Sequence, residues 1–207
     1  YRNFSKDKYY GEFFYCPIFT IDYINKLTKT PLAIIIDERN IGKDEIQTLL
    51  SPCIDKIRMI RMAVDPKNIS SAIQKAQVIN KMGFEVAFNI MYLSEWVKDY
   101  KFLDQIIGIE NYVDYFYMVD SYGAVYPNQL KPLIFEIKKR TKVKLGFHGH
   151  NNLELAHANS LIALEEGVDI IDSTILGMGR GSGNLKTELF LSTLSKKFSL
   201  NINFNSL

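Results

Sequence analysis

The sequence predicts an α/β protein built on a parallel sheet, and three observations carry that expectation. Short β-branched runs alternate with helical patterns from about residue 32 onward. The alternation recurs through six strand candidates, and successive βα units imply parallel strands. Turn and cap residues punctuate the runs where such units need them. Two architectures satisfy this pattern, an open doubly wound sheet and a (β/α)8 barrel, and the barrel is preferred. A barrel takes about 250 residues. At 207 residues the chain falls short by two βα units or so, and it opens on Tyr1 inside the aromatic stretch YRNFSKDKYYGEFFYCPIF. It reads as a barrel incomplete at its N-terminus.

In chain order, strands are expected over 32–37, 57–64, 84–91, 115–120, 143–148 and 168–175. Helices are expected over 43–50, 68–82, 94–108, 127–140, 152–166 and 185–197. The helix over 68–82 opens on Asn68, carries the apolar stripe Ala72, Ala76, Ile79 and Met82, and closes at Gly83. Pro127 stands where a first-turn proline is tolerated, and Gly167 closes the 152–166 helix. Residues 1–198 are assigned to the partial barrel, and 199–207 to the start of a C-terminal extension.

Composition narrows the function. The chain is 47% hydrophobic and 23% charged, with a formal charge of +2. No basic run with interleaved aromatics is present, so nucleic acid is not the expected partner. No apolar run reaches the roughly 18–20 residues that span a bilayer. Cys16 and Cys53 lack CxxC spacing and read as free thiols of a cytoplasmic protein.

The strongest chemical signal is Gly146-Phe-His148-Gly-His150-Asn151 at the end of a strand. Alternate strand residues share a face, so His148 and His150 can close on one ion, with Lys144 and Gly146 on their side. Leu145, Phe147 and Gly149 then face the outer helices. The C-terminal end of a strand is where barrel chemistry occurs. Two neutral imidazoles plus a carboxylate suit a divalent transition metal. The plain alternative is two polar strand-end residues bonded to carbonyls or water.

Other positions carry weaker signals. Asp120 and Ser121 end the strand before this one; Asp120 suits metal ligation, a bond to a ligand histidine or substrate binding, or simply an Asp–Gly turn, and Ser121 can donate to a substrate oxygen. Arg58 and Arg61 lie on opposite faces of their strand, and Arg61 is preferred for the interior. Asn89 ends the third strand and can line the same mouth, as can Asp37 and Glu38. The loop Gly177-Met-Gly179-Arg180-Gly181-Ser-Gly-Asn184 matches no nucleotide-binding motif. Its glycines permit close backbone approach to a ligand, and Arg180 offers a charge for an anion. Asn184 is either a helix cap or a carbonyl ligand, and His157 reads as a mid-helix packing residue.

Taken together, GFHGHNNLELAHANSLIALEEGVDIIDSTILGMGRGSGN resembles the metal-dependent lyase and aldolase barrels related to hydroxymethylglutaryl-CoA lyase and 4-hydroxy-2-oxovalerate aldolase. MVDSYG upstream resembles that family's Asp-Ser/Thr-x-Gly strand end, in the form of its aldolase branch. The resemblance implies metal ligation by His148 and His150, with Asn184 a further metal ligand as in the lyase branch or a residue that shapes the site as in the aldolase branch. It implies that Ser121, with Asp120, helps hold the keto acid or its neighbours. These two and Arg61, from its place near the end of its strand, are the expected catalytic residues; Asn89 at the mouth and Gly179, Arg180 and Gly181 of the loop are the expected substrate contacts. The implied cofactor is a divalent metal, manganese first, with magnesium, cobalt or zinc as alternatives. The implied enzyme is a homodimer that splits a small 4-hydroxy-2-keto acid into pyruvate and an aldehyde. Claisen-type acyl-CoA chemistry on the same barrel, or a non-catalytic fragment acting in assembly, are the rival readings. The family's Asp-x-x-x-Arg-Asp-Gly motif is absent, so the third metal ligand and the base are expected outside this chain, and the isolated fragment is expected to be inactive.

Overall fold

A computed structural model describes residues 1–4 and 8–204. The expected C-terminal extension therefore lies partly outside the described residues, at 205–207. Two short helices, α1 (Glu12–Tyr15) and α2 (Ile18–Leu27), precede the first strand. Then follow β1 (Ala33–Asp37), α3 (Ile46–Leu50), β2 (Met59–Val64), α4 (Ile69–Lys81), β3 (Glu85–Ile90) and α5 (Leu93–Trp96). The chain continues through β4 (Tyr115–Asp120), α6 (Pro127–Lys138), β5 (Lys144–Gly149), α7 (Ala156–Glu165), β6 (Ile170–Ile171) and α8 (Thr187–Phe198).

The strands form one sheet in the order β1-β2-β3-β4-β5-β6, every pair parallel. A doubly wound sheet reverses direction at a switch point. This sheet never does, so its winding is that of a barrel, left unclosed between β1 and β6 among the described residues.

Side-chain alternation divides the sheet into two faces. Ile34, Ile36, Ile60, Met62, Val86, Phe88, Phe116, Met118, Leu145 and Phe147 point outward into the main core beneath the helices. Phe88 pairs directly with Phe116, and both are fully buried together with Phe147. Full burial stabilises each such ring by roughly 1.5–3 kcal/mol. The inner face carries a smaller cluster of Ala87, Tyr117 and Val119. The same face carries Arg61, Asn89 and His148 on the wall of a cavity.

The helical stripe over 68–82 is buried as its spacing implies, at Ala72, Ala76 and Ile79. Gly83 and Gly167 adopt φ of +92° and +74°, the left-handed conformation that ends a helix. Pro127 occupies the first turn of α6.

Three expectations are corrected. The helix over 94–108 is broken: the Asp99 carboxylate accepts from the Lys101 amide, and the chain continues as a 3-10 segment over Tyr100–Ile106. The last strand is only two residues long, because Thr174 leaves the sheet to pair with Lys186 and donates its amide to the Leu185 carbonyl. Asn68 does not cap α4 with its side chain, which donates instead to Glu38 Oε2 at 3.1 Å. That carboxylate is buried and also takes Lys75 Nζ at 2.7 Å.

Candidate metal centre

Strand β5 delivers His148 to the cavity wall because His148 is in phase with Gly146, on the face opposite Leu145 and Phe147. His150 follows in the same phase, held by an antiparallel bridge to Asn184. The two imidazole centroids lie 5.1 Å apart with rings inclined by 68°. Both line a cavity of about 860 Å³ together with Asp37, Arg61, Asn89, Ser121, Asp172, Arg180 and Asn184.

His148 is fixed by a carboxylate. Its Nδ1 lies 2.9 Å from Asp172 Oδ2, and a carboxylate accepts, so Nδ1 carries a proton and the ring is held by that edge. Burial pushes the Asp172 carboxyl up, but the bonds from His148 and Arg61 outweigh it and hold the group below the usual carboxylate range. Burial, helped by the nearby His148 and Arg180, lowers His150 to about 4, so it is a neutral imidazole at pH 7.

Arg61 is a wall residue with its donors engaged. Its two terminal nitrogens reach Asp172 at 3.0 and 2.5 Å, and Nε donates to Asn89 Oδ1 at 3.1 Å. The guanidinium lies 4.1 Å from the Tyr117 ring centre. The other arginine of the strand, Arg58, pairs with Glu85 outside the cavity.

Asp120 is turned away. It is in phase with Phe116 and Met118, is 1% exposed, and accepts from the Ala124 and Val125 amides at 3.0 and 3.1 Å. Of its expected uses, these bonds are those of the turn. Burial raises its carboxyl, opposed by those amides. Ser121 does reach the cavity, and its Oγ accepts from the Tyr92 amide at 3.0 Å.

The glycine loop shapes Asn184. Asn184 Nδ2 donates to the Met178 carbonyl at 2.9 Å, while its buried Oδ1 has no hydrogen-bond partner. Neither atom caps α8, whose N-cap residue is Lys186. A Cβ on Gly179 would stand 2.3 Å from Asn184 Nδ2, so that position admits only glycine at its present closeness. Gly179 thus packs against Asn184, and Gly181 turns the loop at φ +63°. Of this loop, Arg180 and Asn184 line the cavity.

The donor set fits a borderline divalent ion. Two imidazoles and an asparagine whose amide oxygen is orphaned line one cavity, and the His148 ring is oriented by a carboxylate, as metal-bound histidines commonly are. Among the described residues, no group of three or more His, Cys, Asp or Glu side chains is placed to hold a metal.

Residue-by-residue reading of the sequence missed Asp172 and Tyr117. Asp172 had a signal: it follows Ile170 at strand spacing, and so shares the interior face.

A family model described as HMGL-like matches residues 39–207, most of the chain. The chain belongs to the HMGL-like family. Among its HMGL-like relatives, the 4-hydroxy-2-oxovalerate aldolase of Geobacillus stearothermophilus is 35% identical over 140 residues, which are 67% of this chain and 41% of that enzyme. The chain thus spans less than half the length of that curated relative. A crystal structure of the N-terminal domain of a candidate aldolase from Bacteroides vulgatus superposes with a TM-score of 0.96 at 44% identity, covering 99% of this chain and 69% of that one. The HMG-CoA lyase of Bacillus subtilis shares the fold, with a TM-score of 0.68 at 19% identity over 86% of this chain and 67% of that one.

Proposed function

We propose that this HMGL-like chain supplies the histidine half of the metal site in an aldolase that splits a 4-hydroxy-2-keto acid into pyruvate and an aldehyde. The observation that carries this reading is the pair His148 and His150 over one cavity, with His148 held by Asp172 through Nδ1, which leaves Nε2 as the nitrogen to meet an ion.

His148, His150 and Asn184 Oδ1 would hold the ion, manganese by preference among magnesium, cobalt and zinc. The ion supplies Lewis acidity toward the carboxylate and keto oxygens of the substrate. Arg180 sets a positive charge on the cavity wall and holds the anionic end of the keto acid. Ser121 accepts the Tyr92 amide, which leaves its own hydroxyl proton to donate to a substrate oxygen. Asn89 is bonded to Arg61 through its oxygen, so its amide hydrogens would be the group it offers to a substrate. The two free cysteines, Cys16 and Cys53, are buried, in keeping with work in the cytoplasm.

The test is release of pyruvate from 4-hydroxy-2-oxovalerate by the full-length protein, followed with lactate dehydrogenase and NADH. Activity that needs added Mn²⁺ and disappears in His148→Ala supports the reading. Activity unchanged in that variant sinks it. Turnover of acyl-CoA with simple aldehydes, and none of the hydroxy acid, would move the chain to condensing chemistry.

A further inference from the structure

The feature that the metal reading leaves unused is the other side of Asp172. A carboxylate that serves only to orient one histidine needs one accepting oxygen. Asp172 instead spans two partners: Oδ2 meets His148 Nδ1 and an Arg61 nitrogen together, and Oδ1 takes the second Arg61 nitrogen. The three side chains are 16–23% exposed and lie on β2, on β5 and just after β6.

We infer that Arg61 is a positioning residue that sets the ring orientation of His148 through Asp172. Asp172 follows the last paired residue of a two-residue strand, and the chain then turns off toward Lys186. Its backbone is tied to the sheet by one amide, donated to the Phe147 carbonyl at 3.0 Å. Such a carboxylate swings unless something locks it. The forked guanidinium does so, because two parallel N–H bonds fix the plane of the carboxylate as well as its distance.

Arg61 is itself held at three points. Asn89 accepts from Nε, the Tyr117 ring lies under the guanidinium, and the Asp172 fork takes the far side. The order of control runs from Tyr117 and Asn89 to Arg61, then to Asp172, then to His148. Arg61 thus acts without touching the substrate or the ion. A lysine keeps the charge but cannot reproduce the fork.

This inference rests on the metal reading above, so its test reads the histidine ring directly. Full-length protein labelled with ¹⁵N-histidine is studied metal-free by long-range ¹H–¹⁵N correlation, which separates Nδ1–H from Nε2–H tautomers. Zinc affinity is then measured by titration calorimetry. In the parent protein His148 should be the Nδ1–H tautomer. In Arg61→Met it should become a mixture, with zinc bound about 10–100-fold more weakly. Arg61→Lys should fall between the two. Arg61→Lys carries the test should Arg61→Met fail to fold, while Asp172→Asn, which alters the atom that His148 itself bonds, gives the full shift against which the Arg61 variants are read. A pure Nδ1–H tautomer and unchanged zinc affinity in a folded Arg61→Met protein would overturn the inference. If the parent takes up no zinc while its tautomer still shifts on substitution, the positioning role stands and the metal reading fails. If zinc binds and neither variant moves the tautomer, the metal reading stands and the positioning role fails.

Discussion

Replacing Gly146 with alanine tests how tightly the inner face is built. Gly146 pairs with Tyr117 across β4 and β5, and the Tyr117 ring lies directly over it. A Cβ there would stand 2.3 Å from Tyr117 Cδ1 and 2.4 Å from Cε1. Carbon atoms rest at about 3.5–4.0 Å, so the ring must retreat by more than 1 Å or so. Overpacking of this kind costs about 1–3 kcal/mol. In a chain of this length each kcal/mol lowers Tm by roughly 2–4 °C, so Gly146→Ala should melt about 2–12 °C lower. The ring also underlies Arg61, so the loss should be coupled to Tyr117. In a double-mutant cycle, Gly146→Ala with Tyr117→Leu should be less destabilised than the sum of the single changes by about 0.5–3 kcal/mol. Thermal and urea denaturation read both quantities. Strict additivity, or a Gly146→Ala protein as stable as its parent, would refute the packing argument.

Three further outcomes follow from the same structure. Lys75→Met leaves the Glu38 carboxylate buried without its ion-pair partner, and urea denaturation should show a loss of about 3–5 kcal/mol, with Lys75→Met/Glu38→Leu recovering most of it. Metal-free protein should be less stable at pH 5 than at pH 7, in part through His150. Its folded pKa of about 4 lies below the unfolded value near 6.5, so the unfolded chain binds the proton first and stability falls as pH drops from about 6.5 toward 4. His150→Asn should flatten that slope, and an identical slope would count against the buried neutral imidazole. Gly179→Ala should displace Asn184 and weaken metal binding about 10-fold or more while leaving the far-UV spectrum unchanged; an unaltered titration would show that Asn184 is not a ligand.

Much of the architecture is legible in the chain because parallel βα units write themselves twice, once as strand alternation and once as helical stripe. The outward Leu145 and Phe147 and the inward His148 follow from period two alone. The same rule, applied to 115–120, places Asp120 outward with Phe116 and Met118, and the attraction of an acidic residue at a strand end obscured it. Asp172 was hidden differently. It needs a partner 111 residues away on β2 to reveal its role, and no local pattern encodes that distance. The 3-10 segment over Tyr100–Ile106 keeps apolar residues at helical spacing, Leu103 and Ile106 being buried, so periodicity could not separate it from an α-helix. Helix α2 was illegible for the opposite reason: Phe19, Tyr23 and Leu27 remain exposed and blur the stripe that Ile21 buries.

The sequential strand order has a kinetic meaning. Paired residues are separated by similar chain lengths throughout, Ala33 with Met59, Met59 with Glu85, Tyr115 with Lys144. Each unit can therefore dock on the one before it, at a modest and nearly constant loop-closure entropy. The Arg61–Asp172 fork is the exception, since it joins the second strand to the residue after the last and closes only when every unit between them is in place. Orientation of His148 is thereby a late event in folding, and a partly assembled sheet would carry both histidines without a fixed ring to present.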